Sequence, residues 1–317
     1  MFSFVKFIQS ILSRLKKNKG LWFTILTVSS VFGVLISISL MNMMTSDVAN
    51  KTYLQTHRVE TIQLQNALES RYDSLLSIGG VVAIHPDVIA NIRTKSDKSI
   101  NDILKTAQKT INDRVNIEPI AIRYYASDYK STESENEKYA ALVMETKTSI
   151  TGIVINSSGL RIVAITPVED NNATIGAIEI SQDIVVVKND FEKLGKEFVY
   201  ILDKAQLVFM SLGTKQGNLQ DIDEKYKIFY HKYDAQFYTN LRDINLDQLQ
   251  REKYFIDDRY YTTVDEAVDI DGKIVGLFVI GESSKEANSF VNITKNLISS
   301  VTTVALGLVI SLILFMF

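Results

Sequence analysis

The chain has 317 residues, of which 46% are hydrophobic, with 14 glycines, 3 prolines, no cysteine and a formal net charge of −3 at pH 7. This composition excludes a collagen, a disulfide scaffold and a wholly disordered chain, and the length allows one large domain or two small ones. The 34 basic residues are outnumbered by 37 acidic ones, which argues against a nucleic-acid binder. Because cysteine is absent, a thiol nucleophile, an iron–sulfur cluster and a Cys-ligated zinc are excluded as well.

Two long blocks contain no charged residue, 21–44 near the start and 297–317 at the end. At about 1.5 Å rise per residue, each would form a helix roughly 31 to 36 Å long, enough to cross a hydrocarbon core of about 30 Å. We therefore predict two transmembrane helices. The alternative, a buried core helix, needs a shorter apolar run and usually carries a charge at its edge.

The first twenty residues, 1–20, carry basic side chains and no acidic one, so the positive-inside rule places this tail in the cytoplasm. The segment between the two spans is then exported. A cleaved signal peptide is the alternative, but its apolar region usually runs about 7 to 15 residues, much shorter than 21–44. Since the whole chain carries −3 and the five basic residues of the tail contribute +5, the exported segment carries −8.

Segment 45–78 is predicted to be a long signalling helix that continues the first span. It contains neither proline nor glycine from 46 to 78, and its apolar residues recur at helical spacings. These residues are Val48, Val59, Ile62, Leu68, Tyr72, Leu75 and Leu76. Gly79-Gly80 is expected to end the helix, which makes a rod of about 58 residues and about 85 Å. The apolar stripe predicts a homodimer along this helix, unless folded parts of the same chain cover it.

Segment 79–195 is predicted to be a mixed lobe of helices and strands. His85-Pro86-Asp87 is expected to open a short helix, and Asp183 is expected to cap a helix that ends at Gly195. Periodicity predicts two more helices, at 96–112 and 135–146. Alternation predicts strands at 118–126, 150–155, 160–168 and 173–180.

Segment 196–290 is predicted to be a second lobe of the same kind. Strands 198–202 and 207–210 are expected to form a hairpin, and later strands are expected at 253–256, 260–268 and 273–281, the last two joined by the turn signal Asp271-Gly272. The run 167–180 can be laid without gaps on 267–280, since strand, acidic turn, glycine and strand recur in the same order. Two antiparallel hairpins can also match this well by chance. The predicted fold class is α+β, with two lobes of antiparallel meanders on the long N-terminal helix and a transmembrane helix on either side.

Three runs carry a family resemblance: 151–155 (TGIVI), 158–170 (SGLRIVAITPVED) and 175–180 (IGAIEI). They are similar to the small-residue turn, the "LR..A..PV" strand and the returning "(I/V)GA(I/V)E(I/V)" strand of double Cache, PAS-like, extracytoplasmic sensor regions. Such regions occur in bacterial chemoreceptors and related transmembrane signalling proteins. The runs cover about thirty residues, whereas the layout of anchor, long helix, two lobes and second anchor covers nearly the whole chain.

The resemblance implies a membrane-distal lobe, 79–195, that holds a pocket for an amino acid, a carboxylate or another small polar metabolite. It also implies a membrane-proximal lobe, 196–290, that passes the signal to the second membrane helix. Family members usually continue into a HAMP segment and an output domain. We expect this chain to end in its second span without one, as the sensor portion of a longer receptor or as a protein that acts through a partner.

Arginines on predicted strands are the first candidates for ligand binding. If the ligand is anionic, the guanidinium of Arg123 or Arg161 would bind it through paired hydrogen bonds. The alternative for each is to face solvent or to pair with a structural acid such as Glu169 or Glu179. Together with tyrosines that supply ring area and a hydroxyl, the predicted ligand-binding residues are Arg123, Tyr125, Tyr139, Arg161 and Glu169. For the tyrosines the alternative is ordinary packing in half-buried elements.

Other chemistry is not indicated. The aromatic residues of the second lobe are better explained by core packing than by a second pocket or a partner surface, and they are Tyr226, Phe229, Tyr230, Tyr233, Phe237, Tyr238, Tyr254, Phe255, Tyr260 and Tyr261. His57, His85 and His231 lack metal-ligand spacing. No phosphate loop, H-E-x-x-H or G-x-S-x-G motif is present, so we predict neither an enzyme nor a bound cofactor.

The sequence therefore predicts a multi-pass protein of the bacterial inner membrane with residues 45–296 outside the cytoplasm. Its predicted function is to bind a small metabolite and shift the second membrane helix relative to the first, acting as a homodimer with a cytoplasmic or membrane signalling partner. The alternative is a non-enzymatic scaffold or assembly subunit of a cell-envelope complex, which uses the same fold to bind proteins.

Overall fold

The computed structural model describes residues 19–94, 97–114, 119–127, 135–210, 219–229 and 234–315. The chain is α+β, with a long N-terminal helix and two antiparallel sheets. Its contacts divide it into two units, one formed by Met1–Gln55 with Glu286–Phe317 and the other by Thr56–Lys285. Both sheets belong to the second unit. The predicted cytoplasmic tail lies outside the described residues up to residue 18.

Nine helices lie within the described residues. They are α1 (Lys19–Ala83), α2 (Pro86–Arg93), α3 (Asp97–Arg114), α4 (Glu135–Thr146), α5 (Val185–Glu192), α6 (Ala235–Arg242), α7 (Leu246–Glu252), α8 (Ser284–Ala287) and α9 (Ser289–Phe315). As predicted, His85 caps α2, where its side chain accepts a hydrogen bond from the Asp87 N–H at 3.3 Å. The predicted helices at 96–112 and 135–146 are confirmed as α3 and α4.

Helix α1 is longer than the sequence predicted. It has 65 residues, about 98 Å at 1.5 Å per residue, and continues through Gly79 and Gly80 to Ala83. The prediction that these glycines end it is wrong, because Gly79 serves close packing: a Cβ there would lie 3.0 Å from the Thr166 hydroxyl oxygen. The helix ends shortly before Pro86, since a proline disfavours helical backbone in the residue ahead of it.

Ten strands form the two sheets. They are β1 (Ile120–Ala126), β2 (Ile150–Asn156), β3 (Gly159–Asp170), β4 (Ala173–Asp183), β5 (Glu197–Asp203), β6 (Leu219–Asp221), β7 (Tyr226–Phe229), β8 (Tyr254–Ile256), β9 (Tyr260–Val268) and β10 (Ile274–Ser283). The first sheet has the order β1-β4-β3-β2, and the second has the order β6-β7-β5-β10-β9-β8. All described pairings are antiparallel, as predicted.

The two sheets repeat one arrangement. In the first, the meander β2-β3-β4 places β4 beside β1, and in the second the meander β8-β9-β10 places β10 beside β5. Gly176 and Gly276 hold equivalent positions: a Cβ on Gly176 would lie 2.7 Å from the Tyr125 carbonyl oxygen, and one on Gly276 would overlap that of Ile201. The repeat seen in the sequence therefore falls on equivalent hairpins of the two sheets.

The gapless alignment of 167–180 on 267–280 agrees with the structure for the strands that follow the two hairpin turns, β4 and β10. It does not agree for the strands that precede the turns, β3 and β9. Asp170 pairs with Ala173 across a two-residue turn, whereas Val268 pairs with Ile274 across a five-residue turn, 269–273. The register shifts lie at different places in the two hairpins, so Val168 faces Gly176 while Ala267 faces Gly276. Asn171 and Asn172, both at positive φ, make the shorter turn.

One continuous core joins α1 to both sheets. Leu64, Leu75 and their neighbours on α1 pack with the inward residues of β1, β3, β4, β5 and β10. A second cluster lies between the outer face of the second sheet and α6 and α7, and a third lies between the outer face of the first sheet and α4. The apolar stripe of α1 is thus covered in large part by its own chain, although Val59 and Ile62 are exposed.

Two ion pairs fasten α1 to the segment that connects the sheets. Arg71 donates to both carboxylate oxygens of Asp190 on α5, from Nη2 at 2.8 and 2.7 Å and from Nε at 3.2 Å. Buried Glu60 pairs with Lys196, which also donates to Gln63 at 3.2 Å. Because buried charges are tolerated when they are paired, these contacts fix the register of the helix against the sheets.

Several elements differ from the sequence-based prediction. The apolar run 207–210 is not a strand: residues Lys204–Phe209 form a 3-10 helix capped by Asp203, and β5 pairs instead with β10 and β7. Strand β4 extends to Asp183, and the N-cap of α5 is Ile184, although the Asp183 carboxylate accepts from the Val185 N–H at 3.0 Å. Strands β6 and β7 and helices α6 and α7 were not predicted.

The unit that contains both chain ends is built from the first part of α1 and from α9. Here the Tyr53 hydroxyl donates to the side-chain oxygen of Asn288. Within the described residues one helix, over Val28–Ala83, holds a stretch long and apolar enough to cross a membrane, and none of that stretch is buried. The second predicted span lies in α9, where Leu297, Val301 and Leu308 are exposed.

Candidate ligand-binding site

The face of the first sheet that carries α4 also carries the predicted arginines. In antiparallel pairs, directly opposed residues share a face, and Arg123 on β1 opposes Glu179 on β4, while Arg161 on β3 opposes Asp183 on β4. Ser181, between the two acids, lies on the same face because side chains alternate along a strand. Two guanidinium groups, two carboxylates and a hydroxyl therefore occupy one face of the sheet, whereas the other face is mostly apolar and includes Ile162, Ile178 and Ile180.

Tyr125 and Glu179 are joined by a buried hydrogen bond. The Tyr125 hydroxyl donates to Glu179 Oε2 at 2.6 Å, and the Glu179 side chain is fully buried. Burial raises the pKa of the Tyr125 hydroxyl, the Glu179 carboxylate raises it further, and the Arg123 guanidinium acts in the opposite direction. Tyr125 is therefore a hydrogen-bond donor throughout the physiological pH range. Arg123, which is exposed, presents its guanidinium at the open side of this pair.

Arg161 is held by the next residue of β4 on the same face. Its Nη2 donates to the backbone oxygen of Ser181 at 3.2 Å and to the Ser181 hydroxyl oxygen at 3.3 Å. Burial lowers the pKa of Arg161, while the carboxylates of Asp183 and Glu179 raise it. A guanidinium stays charged after such a shift, so the site contains a fixed, partly desolvated cation.

Tyr139 covers the apolar half of this face. It is buried on α4 in the same cluster as Tyr125, Val154 and Val163. Burial raises its pKa to about 12, and hydrogen bonding to the Asp271 carboxylate contributes to the increase. The structure therefore brings Tyr139 into the layer above Arg123, Tyr125 and Arg161 by way of a helix that the sequence predicted with the same bounds.

Glu169 is not brought together with the other four predicted residues. It is exposed near the turn end of β3, opposite Thr174, and lies eight residues along the strand from Arg161. Strand residues rise about 3.3 Å each, so the two are separated by most of the length of β3. The acid of the cluster is instead Glu179, which the sequence suggested only as a structural partner for an arginine.

The positions of the second sheet that are equivalent to Arg123, Tyr125 and Glu179 are apolar. By the pairing of β5 with β10, Val199 and Val279 stand where the first sheet has Arg123 and Glu179, and Ile201 stands where it has Tyr125. All three are fully buried beneath α6 and α7. A Cβ on Gly281 would overlap the Phe237 ring, so this face is filled by packing. The two sheets share this arrangement of strands, but only the first has Arg123, Tyr125 and Glu179 at these positions.

Glu179, Ser181 and Asp183 were missed as members of the site. Their signal is present in the sequence as three polar residues at every second position of β4, although Gln182 between the last two interrupts the alternation. The pattern shows that they share a face but not which arginine lies opposite each of them. That information requires the register of β1 and β3 against β4.

A separate cavity of about 760 Å³ lies among the helices α1, α2 and α3. Its walls include Val82, Val88 and Ile103, with Asp87 and Asp102 at its polar side. Helix α3 packs against the opposite face of the first sheet from α4, so this cavity is not formed by the predicted ligand residues. Its described walls contain no arginine or lysine, which leaves an anionic ligand without a cationic partner there.

The aromatic residues of the second sheet are mostly core residues, as expected. Tyr226, Phe237, Tyr238 and Tyr261 are buried, while the placement of Tyr230 and Tyr233 lies outside the described residues. In the described part of the chain, no three His, Cys, Asp or Glu side chains are grouped so that they could hold a metal ion. Of the three histidines in the sequence, His231 falls outside the described residues.

No known family model matches the chain, and no curated protein matches it significantly. Solved structures do show similarity. The sensor domain of the V. cholerae histidine kinase DctB matches with 12% identity over 73% of this chain and 98% of that chain, at a TM-score of 0.38. The ligand-binding domain of the Campylobacter jejuni chemoreceptor Tlp3, in complex with L-valine, matches with 9% identity over 76% and 97%, at 0.39.

A further similar structure is the ligand-binding domain of the Pseudomonas fluorescens chemoreceptor CtaA in complex with L-isoleucine, with 9% identity over 77% of this chain and 98% of that chain, at a TM-score of 0.37. These proteins belong to the same group of sensor domains that the sequence motifs resemble. Such low identities and TM-scores carry no argument about the ligand or output of this chain. Whether it contains one Cache module or two stays a prediction.

Proposed function

We propose that this chain is a membrane sensor that binds a small polar metabolite on the α4 face of its first sheet. The observation that carries the proposal is the contrast between the two sheets: Arg123, Tyr125 and Glu179 of the first are replaced by buried aliphatic residues in the second. Burying charges costs free energy, so a fold that needed only a core at this face would use the apolar version.

The chemistry of the cluster favours an amino acid or another small carboxylate as the ligand. The guanidinium of Arg161 is partly buried and Arg123 is exposed on the same face of the sheet, and either can bind a carboxylate by paired hydrogen bonds. Glu179 and Asp183 provide negative charge for an ammonium group a few ångströms away. The neighbouring rings of Tyr125 and Tyr139 supply the apolar surface that small-molecule sites use for most of their contact area.

The remaining parts of the proposal follow the layout of the chain. The uncharged segments 21–44 and 297–317 anchor it in the bacterial inner membrane, with the sheets outside the cytoplasm and the N-terminus inside. The two sheets form the membrane-distal and membrane-proximal modules of a double Cache region without enzymatic activity. A homodimer would use the exposed residues Val59 and Ile62, since the later residues of the stripe, Leu68, Tyr72, Leu75 and Leu76, pack into the core of their own chain.

The first prediction concerns Arg161. A thermal-shift screen of the full chain in nanodiscs against a panel of amino acids and small carboxylates should reveal stabilisation by one chemical class. Arg161→Ala should abolish that stabilisation, because the ligand carboxylate loses its buried cation. Arg58→Ala, which removes an exposed arginine of α1, is the matched control and should leave the response unchanged.

Two results would count against this function. A response that survives in Arg161→Ala would remove Arg161 from the site. Absence of stabilisation across the panel, together with membrane proteins that co-purify in fixed proportion, would favour the alternative role as an assembly subunit of an envelope complex.

A further inference from the structure

The turn between β9 and β10 of the second sheet, residues 269–273, contacts the first sheet directly. The Ile270 N–H donates to the backbone oxygen of Ile153 on β2 at 3.1 Å. The turn itself is closed by two backbone hydrogen bonds, from Asp269 N–H to the Lys273 oxygen at 2.9 Å and from Gly272 N–H to the Asp269 oxygen at 3.0 Å. A well-ordered turn of one sheet thus lies against the edge strand of the other.

The side chain of Ile270 is part of the core beneath the candidate site. It packs against the third apolar cluster, the one that contains Tyr125, Tyr139 and Val163. The space it occupies is left by a glycine of β2: a Cβ on Gly152 would lie 2.5 Å from Ile270 Cγ1. The second sheet therefore contributes one residue to the packing that positions both tyrosines of the site.

The next residue of the turn contacts the helix above the site. The Asp271 carboxylate pairs with Lys138 and raises the pKa of the Tyr139 hydroxyl, and both residues lie on α4. The ion pair is partly exposed, and pairs of that kind contribute little to stability. Its role here is orientation, because it ties one end of α4 to the turn while Ile270 fills the space beneath.

Strand β10 leads from this turn to the C-terminal helices without a break. It is held on both sides, by β9 over Ile274–Ser283 and by β5 over Gly276–Gly281, so it cannot bend independently of its sheet. At Ser284 it passes directly into α8 and then α9. A displacement of the turn is therefore a displacement of the strand that leads towards the second predicted membrane span.

We propose that the turn 269–273 couples the candidate ligand site on the first sheet to the second sheet, with Ile270 and Asp271 as its contact residues. This inference rests on the proposed function for its biological meaning. A ligand that moves α4 or Tyr139 changes the free energy of the turn contact, and by reciprocity a change in the turn alters ligand affinity. Contact alone does not establish such coupling, which has to be measured as an energy between the two places.

The test measures amide hydrogen exchange of the full chain in nanodiscs with no ligand added. Ile270→Ala and Asp271→Asn are compared with wild type, and Ile274→Ala, which truncates a half-exposed isoleucine beside the same turn, is the matched control. Exchange in α4, measured relative to exchange in α3, should rise by about tenfold in Ile270→Ala and by about twofold to fivefold in Asp271→Asn. The control should leave the ratio unchanged.

The reciprocal arm perturbs the site and observes the turn. Glu179→Gln removes the charge that accepts from Tyr125, and the amides of Asp269 and Gly272 should then exchange faster. Thr166→Val, on the opposite face of the first sheet, serves as its control. Exchange in α4 that is unaffected by both turn variants, or turn amides that are unaffected by Glu179→Gln, would overturn the proposal.

The exchange experiment can fail or succeed independently of the ligand screen that tests the proposed function. Coupling is measured without a ligand. If the ligand screen fails but the coupling is observed, the proposed sensor function is rejected and the coupling through the turn 269–273 is retained. If a ligand binds but no coupling is observed, only the coupling proposal is rejected. Asp271→Asn preserves size and lies at the surface, so it keeps the test decisive if Ile270→Ala does not fold.

Discussion

Glu179 shows how individual side chains set the character of the candidate site. A carboxylate with no exposed surface is costly unless hydrogen bonds and opposite charges compensate it, and here Tyr125 donates to it while Arg123 stands across the strand pair. The same groups that compensate the charge also orient it. A ligand that carries a carboxylate and an ammonium group would therefore bind side chains that are already oriented, which lowers the entropic cost of binding.

His57 on α1 is a residue whose protonation equilibrium is shifted by its surroundings. Its Nδ1 lies 2.5 Å from the Thr263 hydroxyl oxygen, and that hydroxyl already donates to the Lys253 oxygen at 2.8 Å. Because a hydroxyl has one hydrogen, the imidazole must donate through Nδ1–H. Burial lowers the pKa of His57 below the usual range for histidine; the Asp265 carboxylate raises it, whereas the charges of Lys253 and Arg58 lower it further.

The lowered pKa of His57 predicts how the stability of the protein depends on pH. A group whose folded pKa is lowered stabilises the fold above the unfolded pKa, and that stability is lost as pH falls through the folded value. The wild-type melting temperature should therefore fall on acidification below about pH 6.5, where the unfolded state takes up the proton first. His57→Gln should show a smaller fall between pH 7.5 and pH 5.5, measured by thermal unfolding of the full chain. An equal fall in both proteins would contradict the assignment.

Glycines allow the equivalence of the two hairpins to be tested at the level of elements. Gly176→Ala and Gly276→Ala should each lower the free energy of unfolding by about 1 to 3 kcal/mol, since the added methyl meets the carbonyl of the neighbouring strand. Gly80→Ala is the control: nothing lies within 4 Å of its Cβ position, and it is inside a helix. That variant should gain roughly 0.5 to 1 kcal/mol.

Thermal or denaturant unfolding of the three glycine variants measures these differences. Losses of similar size in the two strand variants would support equivalent packing of β4 on β1 and β10 on β5. A loss in one strand variant and none in the other would show that the two hairpins differ in their packing.

Elements with a clear period were predictable, and short apolar runs were not. Alternation in 118–126 predicted β1, and helical spacing predicted α3 and α4. The run Leu207-Val208-Phe209-Met210 has no period, and its neighbour Asp203 caps a 3-10 turn through the Ala205 N–H at 2.8 Å. Gly79 misled the prediction because a glycine that ends a helix and one that permits close packing look the same in one sequence.

For the whole molecule, the sequence predicted the α+β class, the two antiparallel sheets and the repeat between them. Of its five candidate residues, Arg123, Tyr125 and Arg161 lie on one face of the first sheet in the structure, and Tyr139 lies on the helix that covers this face. The sequence did not predict the acid of the cluster or the contact of Ile270 with β2. Both depend on register and on packing between distant segments, which local patterns do not encode.

The proposed export of the sheets rests on charge and hydropathy. Within the described residues, the apolar stretch of α1 has no buried part, as expected of a helix that contacts lipid, whereas Leu64 and Leu75 farther along the same helix are core residues. One helix thus changes from an exposed apolar surface to a packed one along its length. This change is consistent with a membrane anchor that continues into the folded unit.

The most direct test of the account is to locate the bound ligand. Amide hydrogen exchange of the full chain would be measured with and without the compound that stabilises it most. We predict protection in β1, β4 and α4 of the first sheet, with a smaller change at the turn 269–273. Protection confined to β5, β10 and α6 of the second sheet, or to the cavity among α1, α2 and α3, would contradict the assignment of the site.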